Sequence, residues 1–277
     1  MTNLLRANLL RLVKSATFWI FFSLYVIYSI ALPFITHSMF SEDFVARADN
    51  LIAFGYGIIG IPIPGILIAI ICNVFFGVEF HDRAVQNKII QGYSRTKIYT
   101  ANLLTACVIS LAMSAVYMLF FLTISLPLYG KLPVQAKDIT LLLIGGILSM
   151  ISYSSIYTLI AMASKNQIVA ILITLGTVIF ITVIVNSFCL DVMNQQPYYT
   201  GHYDRYGEWV EEIVENPYYN KIEHDFCQFI LDCFPSGQTF QLYNYNVYRW
   251  QPILYSLGLL AATTGAGITI FNKSNIK

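Results

Sequence analysis

Six stretches of this chain are apolar over about the thickness of a bilayer, and most polar residues are confined to the segments between them. The stretches are 17–36, 55–76, 102–128, 139–162, 168–190 and 251–271. Roughly 20 helical residues, each rising about 1.5 Å, cross the hydrocarbon layer. A helix satisfies its own backbone polar groups, as hydrocarbon demands. The alternating strands of a membrane barrel do not occur. The pattern predicts an all-α membrane protein, with one membrane domain over 1–277 and a long segment, 191–250, between the fifth and sixth spans. The first stretch follows Arg6, Arg11 and Lys14 but is too long for a signal-peptide core. No small-residue cleavage site follows "YSIALPFITHSMF", so it is expected to be a retained span.

Composition agrees: the chain is 57% hydrophobic and 11% charged, against about 25% charged in soluble domains. It has no basic block or aromatic-spaced basic stripe, so nucleic acid is not an expected partner. Orientation is read from Lys and Arg. With both termini cytoplasmic, the inner segments hold Arg6, Arg11, Lys14, Arg83, Lys88, Arg95, Lys97, Lys165, Lys273 and Lys277. The outer ones hold Arg47, Lys131, Lys137, Arg205, Lys221 and Arg249. That arrangement places a multi-pass protein in the cell membrane with the segment 77–101 inside. The apolar stretches contain no Asp, Glu, Lys, Arg or His. Intramembrane ionisable groups mark proton relays and ion pathways, so a proton-coupled pump is not expected, and any driving energy comes from outside the bilayer.

The densest run of mixed charge is "EFHDRAVQNKIIQGYSRTKIY", residues 79–99. Helical character is expected from Glu79 to Gln91, with Gly92 as the left-handed residue that ends it and Ser94 as the N-cap of the third span. Val85, Ile89 and Ile90 are expected to pack back on the bundle, leaving Glu79, Asp82, Arg83, Asn87 and Lys88 facing the cytoplasm. A solvated loop that only anchors topology is the alternative. The order of Glu79, Asn87, Lys88, Ile89, Ile90, Gly92, Ser94, Arg95 and Tyr99 resembles the cytoplasmic loop of type-2 ABC exporter permeases. In that family the loop is the coupling helix, which docks on the ATP-binding subunit. The resemblance implies that Glu79, Asp82, Arg83, Asn87, Lys88 and Arg95 couple to an ATPase. Family members often carry Gly-Thr where this chain has Arg83-Ala84. Six spans, inside termini, an N-terminal amphipathic helix and a long outer segment between the last two spans complete the likeness.

On a helical wheel Leu4, Leu5, Leu9, Leu12 and Val13 fall on one side, and Asn3, Arg6, Arg11 and Lys14 largely on the other. A basic amphipathic helix of this kind lies in the headgroup plane, with Arg6, Arg11 and Lys14 toward the lipid phosphates; a charged flank that merely fixes orientation is the alternative. The chain has no glycine-rich phosphate loop of the form G-x-x-x-x-G-K-[ST]. It is therefore not expected to be an enzyme by itself or to bind a cofactor, and ATP and Mg are expected in a partner subunit. The resemblance implies two ATP-binding subunits and a second permease, identical or homologous. His202, His224, Cys227 and Cys233 are too sparse for a zinc site. Cys72 and Cys107 fall in spans. Five Cys do not make a disulfide framework; Cys189, Cys227 and Cys233 fall on the outer side, where free thiols are expected and one oxidised pair is the alternative.

The outer segment is rich in Tyr, and two short amphipathic helices are expected in it. One presents Trp209, Val210, Ile213 and Val214; the other presents Ile222, Phe226, Phe229 and Ile230 and stops at "FPSG". They are read as a cap or gate over a transport path, with Trp209, Phe226 and Phe229 as candidate gate residues; a Tyr-rich interfacial belt is the alternative. Pro62 and Pro64 are expected to kink the second span beside that path. Gly145, Gly146, Ser149 and Ser152 are expected at a close helix contact. The expected function is that of a permease subunit exporting an amphipathic peptide or lipid-like cargo. The alternative is a membrane immunity or sensor protein that holds a peptide on its Tyr-rich outer face without transporting it.

Overall fold

The computed structural model describes residues 1–39, 63–129, 136–184, 189, 198–203, 208–214, 220–244 and 250–274. The chain is predominantly helical. Among the described residues, six helices are long and apolar enough to cross a membrane: Ala16–Ile35, Ile63–His81, Arg95–Tyr129, Ile139–Ser164, Gln167–Ile184 and Gln251–Lys273. In chain order the helices are α1 (Thr2–Lys14), α2 (Ala16–Met39), α3 (Ile63–His81), α4 (Ala84–Ile90), α5 (Arg95–Phe120), α6 (Ala136–Ser164) and α7 (Gln167–Ile184). After the hairpin of β1 (Tyr198–Tyr203) and β2 (Trp209–Val214) come α8 (Lys221–Cys233), α9 (Pro235–Asn244) and α10 (Gln251–Lys273). A π-helical turn, Phe121–Ser125, and Leu126–Tyr129 extend α5.

The bundle is built on α6, which lies against α3, α5, α7 and α10. Its core gathers Ile68, Ile71 and Phe76 of α3, Ile109, Met113 and Tyr117 of α5, and Tyr153 and Tyr157 of α6. Small polar residues let α6 and α10 approach: Ser152 Oγ donates to the Ser256 carbonyl at 3.1 Å, and Thr263 Oγ1 donates to Ser155 Oγ at 2.9 Å. Ser149 is buried as well, but a side chain at Gly145 would meet nothing, so the close contact runs along the serines and not the first glycine. The opposite faces carry exposed Leu111, Leu119, Leu172, Ile179, Phe180 and Leu257. Apolar surface on that scale suits lipid rather than water.

One expectation about secondary structure changes. The kink expected at Pro62 and Pro64 lies at the edge of the described residues: Pro62 is outside them and Pro64 is the second described residue of α3. The segment around Trp209 is a strand, not a helix. β1 and β2 pair antiparallel with Tyr198 opposite Val214 and Tyr203 opposite Trp209.

The helix of the second outer expectation is present as α8, capped by Asn220, whose side chain accepts from the Ile222 N–H at 3.1 Å. Its buried face is Cys227, Leu231 and Asp232, while Ile222, Phe226 and Phe229 point outward.

Candidate functional site

The charged run of 79–99 divides into a buried half and an exposed half. α3 continues to His81, so Glu79 rides on the end of a spanning helix instead of opening a separate one. Its side chain is fully buried, not cytoplasm-facing as expected. Glu79 Oε1 accepts from Arg11 Nη1 at 2.7 Å and from Lys88 Nζ at 2.6 Å. Glu79 Oε2 accepts from Asn102 Nδ2 at 3.1 Å. Lys88 Nζ also donates to Asn8 Oδ1 at 3.0 Å, and Asn8 Nδ2 donates to Asn102 Oδ1 at 2.7 Å. The guanidinium of Arg11 stands 5.4 Å from the centre of the Phe75 ring, within cation–π range.

Four elements (α1, α3, α4 and α5) are thus joined around one carboxylate. A charge without water needs a partner and further hydrogen bonds, and this one has both. Lys88 is shielded, its side chain 12% exposed, whereas Arg11 is 36% exposed. Lys88 therefore belongs to the interior and not to the surface expected of it. Arg11 likewise turns inward, while Arg6 and Lys14 stay exposed. The buried stripe of α1 is Leu4, Asn8 and Leu12. Val13 is exposed, against the expected face, and joins Leu5, Leu9 and Leu10 along a shallow outer groove.

The turn into α4 is Asp82-Arg83. Arg83 sits at φ 55°, a left-handed conformation that favours glycine over a side chain with a Cβ. α4 is then held by Val85 and Ile89, which pack with Ile98, Tyr99, Leu103, Met162 and Phe271. Gly92 adopts φ 86°, and its N–H reaches the Ile89 carbonyl at 2.9 Å, as its place at the helix end requires. Ser94 caps α5, accepting from the Lys97 N–H at 3.4 Å.

Ile90 does not pack back; it is 82% exposed, beside exposed His81, Asp82, Arg83, Asn87 and Gln91. Arg95 reaches across to α10. Its Nη1 donates to the carbonyls of Phe271, Asn272 and Ser274 at 3.3, 2.8 and 2.6 Å, closing the end of α10. Tyr99 lies against Gly267 of α10 so closely that a Cβ there would overlap its ring. The motif thus contributes Glu79 and Lys88 to a buried ion cluster, Arg95 and Tyr99 to the α5–α10 contact, and Asp82, Arg83, Asn87 and Ile90 to a surface.

The candidate gate residues are surface groups. Trp209 faces Tyr203 edge-on with ring centres 5.0 Å apart, and Phe229 meets Tyr255 at 5.9 Å. Trp209, Phe226 and Phe229 are all exposed. A small enclosed cavity of about 20 Å³ under this end is lined instead by Tyr153, Tyr157, Val178, Ile181, Phe234 and Ser236.

Sequence reasoning missed a second polar network nearby. Asp232 Oδ1 accepts from Gln228 Nε2 at 2.8 Å and Gln241 Nε2 at 2.9 Å. Gln238 Nε2 donates to the Asp232 carbonyl at 2.7 Å, and its Oε1 accepts from Ser256 Oγ at 2.9 Å. It also missed Asn8 and Asn102. The available signal was a neutral amide inside an otherwise apolar or amphipathic helix, where a buried polar group needs a partner.

No family model and no curated protein matches this chain.

Proposed function

We propose that this chain is the permease subunit of an ATP-driven exporter of the type-2 ABC class, and that α4 is the element on which a separate ATP-binding subunit pushes. The observation that supports this most is the contrast within α4. One side is tied to three other helices through Glu79 and Lys88, while the other presents an exposed Ile90 among polar groups. A short helix that is rigid toward the bundle and sticky at its tip suits transmission of force. Flexible attachment would dissipate it.

In this scheme the end of the bundle carrying α1, α4 and the end of α10 is cytoplasmic, with both termini there, and α1 lies in the headgroup plane. Two ATPases hydrolyse ATP with Mg, and two permeases, identical or homologous, frame the path. The chain supplies no catalysis itself. Its cargo is an amphipathic peptide or lipid-like molecule, in keeping with apolar stretches that contain no Asp, Glu, Lys, Arg or His.

A second function is favoured by one feature, the exposed Tyr203–Trp209 pair on the hairpin. Such a surface suits holding a peptide without moving it, as an immunity or sensor protein would.

Co-purification from mild detergent separates the two. The exporter is expected to bring down a protein with Mg-dependent ATP hydrolysis, and Ile90→Asp is expected to lose it while the bundle unfolds at the wild-type temperature. Undiminished ATPase recovery with Ile90→Asp and Asn87→Ala combined would refute the assignment of α4.

A further inference from the structure

Beyond the last described residue of α7, Cys189 is fully buried, and it packs in one cluster with Cys227 and Leu231 of α8, closed over by Ile181, Ile184 and Ile230. Both thiols lie in that one cluster, on side chains that are fully buried. Cys233 is not an alternative partner for Cys227. The two lie six residues apart on one helix, which separates their Cα atoms by about 9 Å, and a disulfide spans no more than about 7 Å. All five cysteines are free thiols in the structure.

We infer that Cys189 and Cys227 are a disulfide pair of the mature protein, clasping the two ends of the segment that carries the β1–β2 hairpin. The inference rests on the orientation proposed above, which puts this segment on the oxidising side of the membrane. The chemistry is thiol–disulfide exchange. Two S–H bonds break and one S–S bond forms. The pair releases two protons and two electrons to an external oxidant carrying a disulfide, which is reduced to two thiols.

Timing follows from burial. Desolvation raises the pKa of the Cys227 thiol above its ordinary value, which thins the thiolate, the attacking species. The pair is also closed to a bulky oxidant. Exchange must therefore occur before α8 settles on the end of α7. Once formed, the bond is shielded from reductant by the same isoleucines.

Acid-quenched membranes, denatured and alkylated with a maleimide of known mass, test this directly. Three of the five thiols are expected to be modified without reductant and all five after reduction, with one linked peptide pair containing Cys189 and Cys227. Cys189→Ser and Cys227→Ser are each expected to expose all four remaining thiols without reductant. Five modified thiols in unreduced wild type, or a linked pair of any other composition, would overturn the inference.

Orientation is read separately, from a thiol introduced by Tyr203→Cys at a side chain 70% exposed. Labelling of that thiol on intact cells by an impermeant maleimide, with all five native thiols free, would defeat the disulfide alone. Labelling only after lysis would defeat the orientation, and the disulfide with it.

Discussion

Replacing Lys88 with Met removes the most shielded cation of the buried cluster and keeps most of its volume. Glu79 would retain Arg11 on Oε1 and Asn102 on Oε2, but Asn8 Oδ1 would lose its donor. Breaking a buried pair by deleting one partner costs about 3–5 kcal/mol. Because Arg11 still offsets the carboxylate, the lower end, about 3 kcal/mol, is expected. Arg11→Gln should cost only about 1 kcal/mol, since that guanidinium is 36% exposed and partly screened by water. Glu79→Gln leaves two cations facing each other and should again cost about 3 kcal/mol. The double variant Glu79→Gln/Lys88→Met removes charge in balance, and the remaining Arg11 can turn to solvent. It should lie near 3 rather than near 6 kcal/mol, a coupling of about 3 kcal/mol. Equilibrium unfolding in mixed detergent micelles, followed by circular dichroism, measures all four. A Lys88→Met variant within about 0.5 kcal/mol of wild type, or additive single variants, would refute the claim that this cluster holds the four elements together.

Other expectations concern the flanks of the same site. Arg83→Gly should stabilise the fold by about 1 kcal/mol, because it relieves a left-handed residue that bears a Cβ; a lower unfolding midpoint would contradict this. Gly267→Ala should destabilise by about 1–3 kcal/mol as the new methyl meets the Tyr99 ring. Tyr99→Phe should be nearly neutral in the same titration, because the buried Tyr99 hydroxyl has no hydrogen-bond partner among the described residues. Ser94→Ala should cost about 1 kcal/mol through loss of the α5 cap, read as earlier fraying of that helix by amide exchange.

What the sequence made visible was local. The six spans declare themselves because each apolar stretch by itself matches the bilayer, and Gly92 and Ser94 declare themselves because turn chemistry acts within three or four residues. The burial of Glu79 did not. It depends on Arg11, 68 residues away, and on Asn102, 23 residues away, and on α3 continuing through a polar run that reads equally well as a new helix.

Ile90 and Ile89 were indistinguishable in sequence, since one residue of helical rotation separates the packed side of α4 from its bare tip. The hairpin was misread for a related reason. Trp209, Val210, Ile213 and Val214 suit a helical face, but the same run is rich in β-branched residues, and its strand state depends on the distant partner Tyr198–Tyr203. Asp232 was invisible because Gln228, one turn away on α8, is only part of its network, and Gln238 and Gln241 reach it only when α8 folds against α9.

The central claim is that the exposed tip of α4 is where an ATPase engages. A benzophenone side chain placed at position 90 by amber suppression, irradiated in native membranes, tests it most directly, with a second probe at position 172 on the apolar, exposed face of α7. The expected result is a covalent adduct between position 90 and a nucleotide-hydrolysing protein, and none from position 172. Adducts from position 90 to lipid alone, in membranes where an ATPase still co-purifies with this chain, would contradict it.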